Sequence, residues 1–346
     1  MKNNLTISNI SIVIGVIIAL AVMAALLALV NMEVTGNKGN LLSDEFKYDI
    51  ENLTVIDPNL ILYQQKGSAI ETGFAAAKGI ALDARGLIYV IGDQAARIFN
   101  PTGRMLQEIP LAAEPTAVTI AEDGRIYICL GNHIEVYDAQ AGKLATWPVL
   151  SESSIFTSIA VYRNNVFVAD AGRRVIVRYD TQGSIINYIG KKDPAKNIAG
   201  FVIPSPYFDL AAAPDGLLRV ANPGRHRIEA YTFQGDLEFY WGKASPDIEG
   251  FCGCCNPVNF AILPDESFVT SEKGLTRIKI YNARGDFTGV VAGPDQLGKS
   301  CTAVICQFPA ECQAGAFDLA VDKQGTIFVL DTLENVVRIF RKKSSI

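Results

Sequence analysis

Ile80-Ala81-Leu82-Asp83-Ala84-Arg85-Gly86-Leu87-Ile88-Tyr89-Val90 reads as an apolar strand, an Asp-x-x-Gly turn and a β-rich strand. The same second-strand pattern returns at Arg125-Ile126-Tyr127-Ile128, Asn165-Val166-Phe167-Val168, Leu217-Leu218-Arg219-Val220, Ser267-Phe268-Val269-Thr270 and Thr326-Ile327-Phe328-Val329. Each is followed by a polar loop and a third strand that ends in an aromatic: Phe99, Tyr137, Tyr179, Tyr231, Tyr281 and Phe340. Five of these run into turns carrying Gly103, Gly142, Gly183, Gly235 and Gly285, where the backbone needs positive φ. A unit of four short antiparallel strands, present six times, predicts an all-β chain folded as a six-bladed β-propeller. A two-domain sandwich is the competing architecture, and the regular repeat argues against it.

The sixth unit ends after its third strand, at Arg341. Leu60-Ile61-Leu62-Tyr63-Gln64 has the pattern of a fourth strand, as in Leu237-Glu238-Phe239-Tyr240-Trp241. The ring is therefore expected to be closed by an N-terminal strand, which removes a pair of open sheet edges. The expected layout is a transmembrane signal anchor over 1–31, a tether and lead-in over 32–59, the propeller over 60–341 and a tail over 342–346.

The blade cores and the loops Ala169-Asp170-Ala171-Gly172-Arg173-Arg174-Val175 and Ala221-Asn222-Pro223-Gly224-Arg225-His226-Arg227-Ile228 resemble the NHL-repeat family of six-bladed propellers. The family's Asp-x-x-Asn-x-Arg-Val signature lacks its Asn in both loops. The resemblance covers most of residues 60–341 and implies an NHL-like propeller. Family members include protein-binding and RNA-binding modules, a peptide-amidating lyase and calcium-dependent esterase-like relatives, and fold does not choose among them.

Ile10 to Val30 contains no charge and is almost entirely Ile, Val, Leu, Ala and Met, a length that matches the ~30 Å hydrocarbon core at ~1.5 Å per residue. Ala28-Leu29-Val30-Asn31-Met32 is a poor cleavage site, so an uncleaved anchor is expected. Lys2 and the free amine lie before the segment, whereas Glu33, Lys38, Asp44 and Glu45 follow it. This places the propeller outside the cytoplasm, periplasmic or extracellular, on a single-pass anchor. The net charge is −5, so without Lys2, the only charged side chain before Glu33, the remainder carries −6. Such a chain lacks the basic footprint of a nucleic-acid binder.

Successive second strands are 38 and 40 residues apart, then 52, 50 and 59. The excess forms three inserts between blades, Lys191–Pro206, Lys243–Val258 and Gly293–Gly315. Such connections emerge on one face of a propeller, so they are neighbours. Cys252, Cys254 and Cys255 lie in the second insert and Cys301, Cys306 and Cys312 in the third, whereas Cys129 ends an apolar strand and reads as a buried thiol. Three readings stay open for the six: disulfide staples, an iron–sulfur cluster as cofactor, or structural zinc. Thiol–disulfide exchange is disfavoured, because Cys-x-x-Cys occurs only as Cys252-Gly253-Cys254-Cys255, with an extra cysteine inside.

Two histidines, His133 and His226, cannot supply a three-His zinc site, and no nucleophile elbow is present. Asn259, Asp209 and Asp318, near first-strand starts, are candidates for a central calcium site. Arg173, Arg174, Arg225 and Arg227 occupy equivalent loops of neighbouring blades and form a candidate docking patch. The chain reads as a membrane-anchored binding platform, with another protein of a membrane-associated assembly as partner. An electron-transfer accessory subunit and a calcium-dependent hydrolase or lyase are the alternatives.

Overall fold

The computed structural model describes residues 7–31, 53–196, 198–297 and 315–343. The chain divides into two compact units, Met1–Asp49 and Ile50–Ile346.

The first unit contains one helix, Ile7–Asn31. Its described side chains, Ile12 to Leu26, are exposed. That stretch alone spans about 22 Å, at 1.5 Å per residue. Among the described residues no helix is long and apolar enough to cross a membrane.

The second unit is the expected ring of six sheets. Blade 1 comprises Ala77–Leu82, Ile88–Gly92, Ala95–Phe99 and Met105–Pro110. Blade 2 comprises Ala117–Ile120, Ile126–Leu130, His133–Tyr137 and Lys143–Thr146, and blade 3 comprises Phe156–Tyr162, Asn165–Asp170, Val175–Asp180 and Ile185–Ile189. Blade 4 has Leu210–Ala212, Leu218–Asn222, Arg227–Tyr231 and Leu237–Trp241, and blade 5 has Asn259–Ile262, Phe268–Glu272, Arg277–Tyr281 and Phe287–Ala292. Blade 6 supplies Asp318–Val321, Ile327–Asp331 and Val336–Lys342 from the C-terminal end. Its outer strand is Tyr63–Gln65, antiparallel to Val336–Lys342 with Tyr63 opposite Lys342 and Gln65 opposite Phe340. Ile70–Glu71 extends the same edge opposite Val337 and Val336.

Closure thus comes from the N-terminal segment, with its strand shifted toward Gln65. Residues just before it serve the neighbouring blade. Ile61 bridges Val290, and Leu62 N donates to Val290 O at 2.9 Å. This segment lies so close to blade 5 that a Cβ on Gly289 would sit 2.5 Å from Leu62 and 2.9 Å from Leu60 O. The lead-in therefore seams blades 5 and 6 together.

Second strands are covered on both sides by neighbouring blades, which is why they read as continuous apolar runs. Six apolar clusters fill the interfaces between adjacent blades. The seam between blades 5 and 6 packs Tyr63 with Val269, Ile278, Leu319, Val329 and Phe340.

One turn differs from the sequence reading. Gly103, Gly183, Gly235 and Gly285 have positive φ, but in blade 2 Ala141, at φ 67°, holds that position. Asp138 opens this turn, and its Oδ1 accepts from Gln140 N and Gly142 N. The left-handed residue is the third after the Asx, which puts Gly142 one place too late.

Tyr63→Ala is expected to destabilise the protein by about 3–5 kcal/mol in urea unfolding, the range for truncating a large buried aromatic. Gln64→Ala, on the exposed face of the same strand, should stay within about 0.5 kcal/mol.

Candidate functional site

The first and second inserts meet loops between second and third strands on one face. His226 Nε2, from the blade 4 loop, donates to Gly253 O of the second insert at 2.6 Å. Val202 N, from the first insert, donates to Asn222 Oδ1 at 3.0 Å.

The second insert carries little regular structure, yet its backbone is fixed from beneath by blade 5. Glu272 ends the second strand, wholly buried, and Glu272 Oε1 accepts from Cys252 N at 2.8 Å. Arg277 Nε donates to Glu272 Oε2 at 2.7 Å, and Lys279 Nζ lies 3.0 Å from the same oxygen. Both cations then reach into the insert. Arg277 Nη1 donates to Pro246 O at 3.2 Å, Lys279 Nζ to Ile248 O at 3.1 Å and to Gly250 O, and Tyr281 OH to Glu249 O at 3.2 Å. Burial opposes the Glu272 charge, but Lys279 and Arg277 more than offset it and hold the carboxylate below its usual range. Burial lowers Lys279 to about 8, with Glu272 acting against it.

The cysteine loop sits on this base. Asn256 is buried and ties the loop to blade 5: Asn256 Nδ2 donates to Cys252 O at 2.6 Å and Lys273 O at 3.0 Å, and Lys273 N donates to Asn256 Oδ1 at 2.9 Å. Cys252, Cys254 and Cys255 are free thiols, as is buried Cys129. The other three candidate cysteines, Cys301, Cys306 and Cys312, lie outside the described residues. Among the described residues no disulfide joins Cys252, Cys254 or Cys255, and pairing with the other three falls outside those residues. Among the described residues no group of three or more His, Cys, Asp and Glu side chains is arranged to hold a metal ion.

Of the four candidate arginines, Arg173 and Arg174 are exposed, and Arg173 stacks over Tyr188 with its guanidinium 5.0 Å from the ring centre. Arg227 is committed elsewhere, paired with buried Glu229 at 2.6 Å and stacked 3.9 Å over Tyr240. Arg225 is half-buried. The patch of four reduces to a pair, because carboxylates inside the blade are not visible as loop neighbours in sequence.

Asp209, Asn259 and Asp318 all line the central cavity, of about 600 Å³. Their polar atoms are spent on holding blades together. Asp209 accepts from Ser158 Oγ at 2.6 Å in blade 3 and from Phe260 N at 2.8 Å in blade 5. Asp318 accepts from Ile80 N of blade 1 at 2.8 Å, and Asn259 Nδ2 donates to Phe317 O at 2.9 Å. Burial raises Asp318 to about 7, with Asp209 adding to the shift. Burial likewise raises Asp209 to about 6, against the bonds from Ser158, Phe260 and Leu210. Through these bonds the three residues act as struts between neighbouring blades.

Glu272, Arg277, Lys279, Asn256 and Ser205 were not singled out in the sequence. The available signal was three charges, Glu272, Arg277 and Lys279, close together on the second and third strands of one blade.

No protein-family model matches the chain, and no curated protein matches it. Solved propellers do. The streptogramin B lyase structure aligns with TM-score 0.55 and 13% identity over 81% of this chain and 98% of that one. Virginiamycin B lyase from Staphylococcus aureus aligns with TM-score 0.56 and 15% identity over 81% of this chain and 100% of its own. The WD40 propeller domain of Doa1 gives TM-score 0.53 and 14% identity over 78% and 79%. At such identities the likeness establishes the propeller fold.

Two outcomes test this geometry. Glu272→Gln leaves Arg277 and Lys279 buried without their counter-charge and should cost about 3–5 kcal/mol in urea unfolding. Asp318 and Asp209 bind protons more tightly folded than unfolded, so their contribution is full below about pH 4 and is lost as pH rises through 6 to 7. The melting temperature should therefore fall with rising pH across that window, and Asp318→Asn should flatten the profile.

Proposed function

We propose that this chain is a membrane-tethered, NHL-type propeller that docks a protein partner on the face formed by its inter-blade inserts. The carrying observation is the second insert. Its carbonyls at Pro246, Ile248, Glu249 and Gly250 are each bonded by a side chain from blade 5. An irregular loop held this firmly has little conformational freedom left to lose on binding, which favours recognition. Exposed Arg173 and Arg174 on the same face, with Tyr188 beside Arg173, offer cationic and aromatic contact for an acidic patch.

The tether is the helix Ile7–Asn31. The uncharged run Ile10–Val30 supports membrane insertion, and the lysine before it supports an extracytoplasmic propeller.

The protein should sediment with membranes and resist carbonate extraction, and an extracellularly added protease should reach the propeller in intact cells or spheroplasts. A photocrosslinker at Arg174 should trap one discrete partner, and the charge reversal Arg173→Glu should abolish it. A crosslinker at Lys323, on the opposite face, should trap none. Equal trapping from both faces would overturn the assignment.

A further inference from the structure

Two sulfurs touch at the tip of the second insert. Cys254 Sγ and Cys255 Sγ are 3.2 Å apart, with Cys254 exposed and Cys255 buried. Ser205 Oγ, from the first insert, donates to Cys255 Sγ at 3.4 Å. Lys273 Nζ, from the loop between the second and third strands of blade 5, donates to Ser205 Oγ at 3.1 Å and lies 4.7 Å from the centre of the Tyr207 ring. Three separate segments thus converge on one sulfur, and the Asn256 amide fixes the register between the cysteine loop and the backbone of Lys273.

We propose that Cys254 and Cys255 form a two-electron thiol–disulfide site for organic disulfides, with Cys254 as the entering sulfur and Cys255 as the resolving sulfur. Cys254 Sγ attacks one sulfur of R–S–S–R, forming Cys254–S–S–R. The first R–S⁻ leaves and takes up the Cys254 proton. Cys255 Sγ then attacks Cys254 Sγ, the bond between adjacent cysteines forms, and the second R–S⁻ departs with the Cys255 proton. Two thiols and one disulfide become one intramolecular disulfide and two R–SH. The site oxidises and R–S–S–R is reduced.

The surroundings divide these roles. Burial disfavours the Cys255 thiolate, but bonds from Ser205, Cys254 and Lys273 more than offset it, so this thiol falls below its ordinary value. Cys254 is raised, first by its tie to Cys255 and then by burial. The thiolate is the attacking species, and Cys255 is shielded from solvent, so it can reach only the sulfur beside it. Cys252 is raised above all by burial. Adjacent Cα atoms are ~3.8 Å apart, shorter than the ~4.4 Å at which ordinary disulfides begin. A bond between these two is therefore strained and easily reduced, which suits a reversible site better than a staple.

The reduced full-length protein is treated with oxidised glutathione, then alkylated and mapped without reductant. Wild type should lose two alkylatable thiols and show a link between Cys254 and Cys255 within one peptide, reversed by excess reduced glutathione. Cys255→Ser should stop at a stable glutathione adduct on Cys254, and Cys254→Ser should form no adduct on Cys255. Lys273→Met, and the milder Ser205→Ala, should form the adduct at the wild-type rate but close the second bond several-fold more slowly. Free alkylation of both thiols in wild type, an adduct that never resolves, or a bond from Cys254 to a cysteine other than Cys255 would each overturn the proposal. None of these readings depends on a docked partner.

Discussion

Connections between blades carry backbone N–H groups across the face of the ring with no strand to bond them, and in four described connections that need for an acceptor organises the structure. The solution is a side chain at the end of the following blade's second strand. Asp93 accepts from Ala75 N and Ala76 N, Asp170 from Ile155 N, Asn222 from Val202 N, and Glu272 from Cys252 N. One position of the repeat therefore does the same work in blades 3, 4 and 5, and in blade 1 the residue just after it does. Asp170, which fits the NHL-like signature, is explained by this geometry without reference to any ligand.

Blade 5 departs from the pattern in one methylene. Glu272 replaces the shorter Asp or Asn, and its carboxylate lies deep enough to meet Arg277 and Lys279 from the adjacent third strand. Buried charges of this kind contribute little net stability against a well-packed apolar alternative. Their value here is positional. Each cation keeps donors to spare after meeting Glu272, and those donors hold Pro246, Ile248 and Gly250. A longer acceptor, two cations and a tyrosine convert a flexible insert into a fixed one. The neighbouring first insert is held differently, by packing: Phe201 presses so closely on Gly190 that a Cβ there would lie 1.9 Å from the ring.

The ring was legible because strand repetition is a local signal. Apolar second strands, Asx-initiated turns and a missing final strand all survive in the linear sequence, and Tyr63–Gln65 closes blade 6 much as the lead-in pattern implied. The site was less legible because its members come from different segments. Cys254 and Cys255 stood out as neighbours in sequence, but Ser205 and Lys273, which distinguish one sulfur from the other, lie 50 and 18 positions from Cys255. Likewise Arg227 looked free until Glu229, two residues on along the same strand, proved to lie against it. The channel residues Asp209 and Asp318 were found at the cavity as anticipated, but their neighbours are backbone amides, which no side-chain pattern reveals.

These placements separate structural polarity from chemical polarity. Around the channel, burial raises the carboxylates and amides from neighbouring blades bond to them, so their polar atoms serve to hold the ring together. On the insert face the balance is reversed. A buried sulfur is met by a hydroxyl and an ammonium group that favour its ionised form, while its neighbour stays exposed. Nucleophilic chemistry requires a charged form that is stabilised and also within reach of a reactant. In the cysteine pair, exposure gives Cys254 access to a reactant, and the hydroxyl and ammonium group favour the thiolate of Cys255 that closes the second bond.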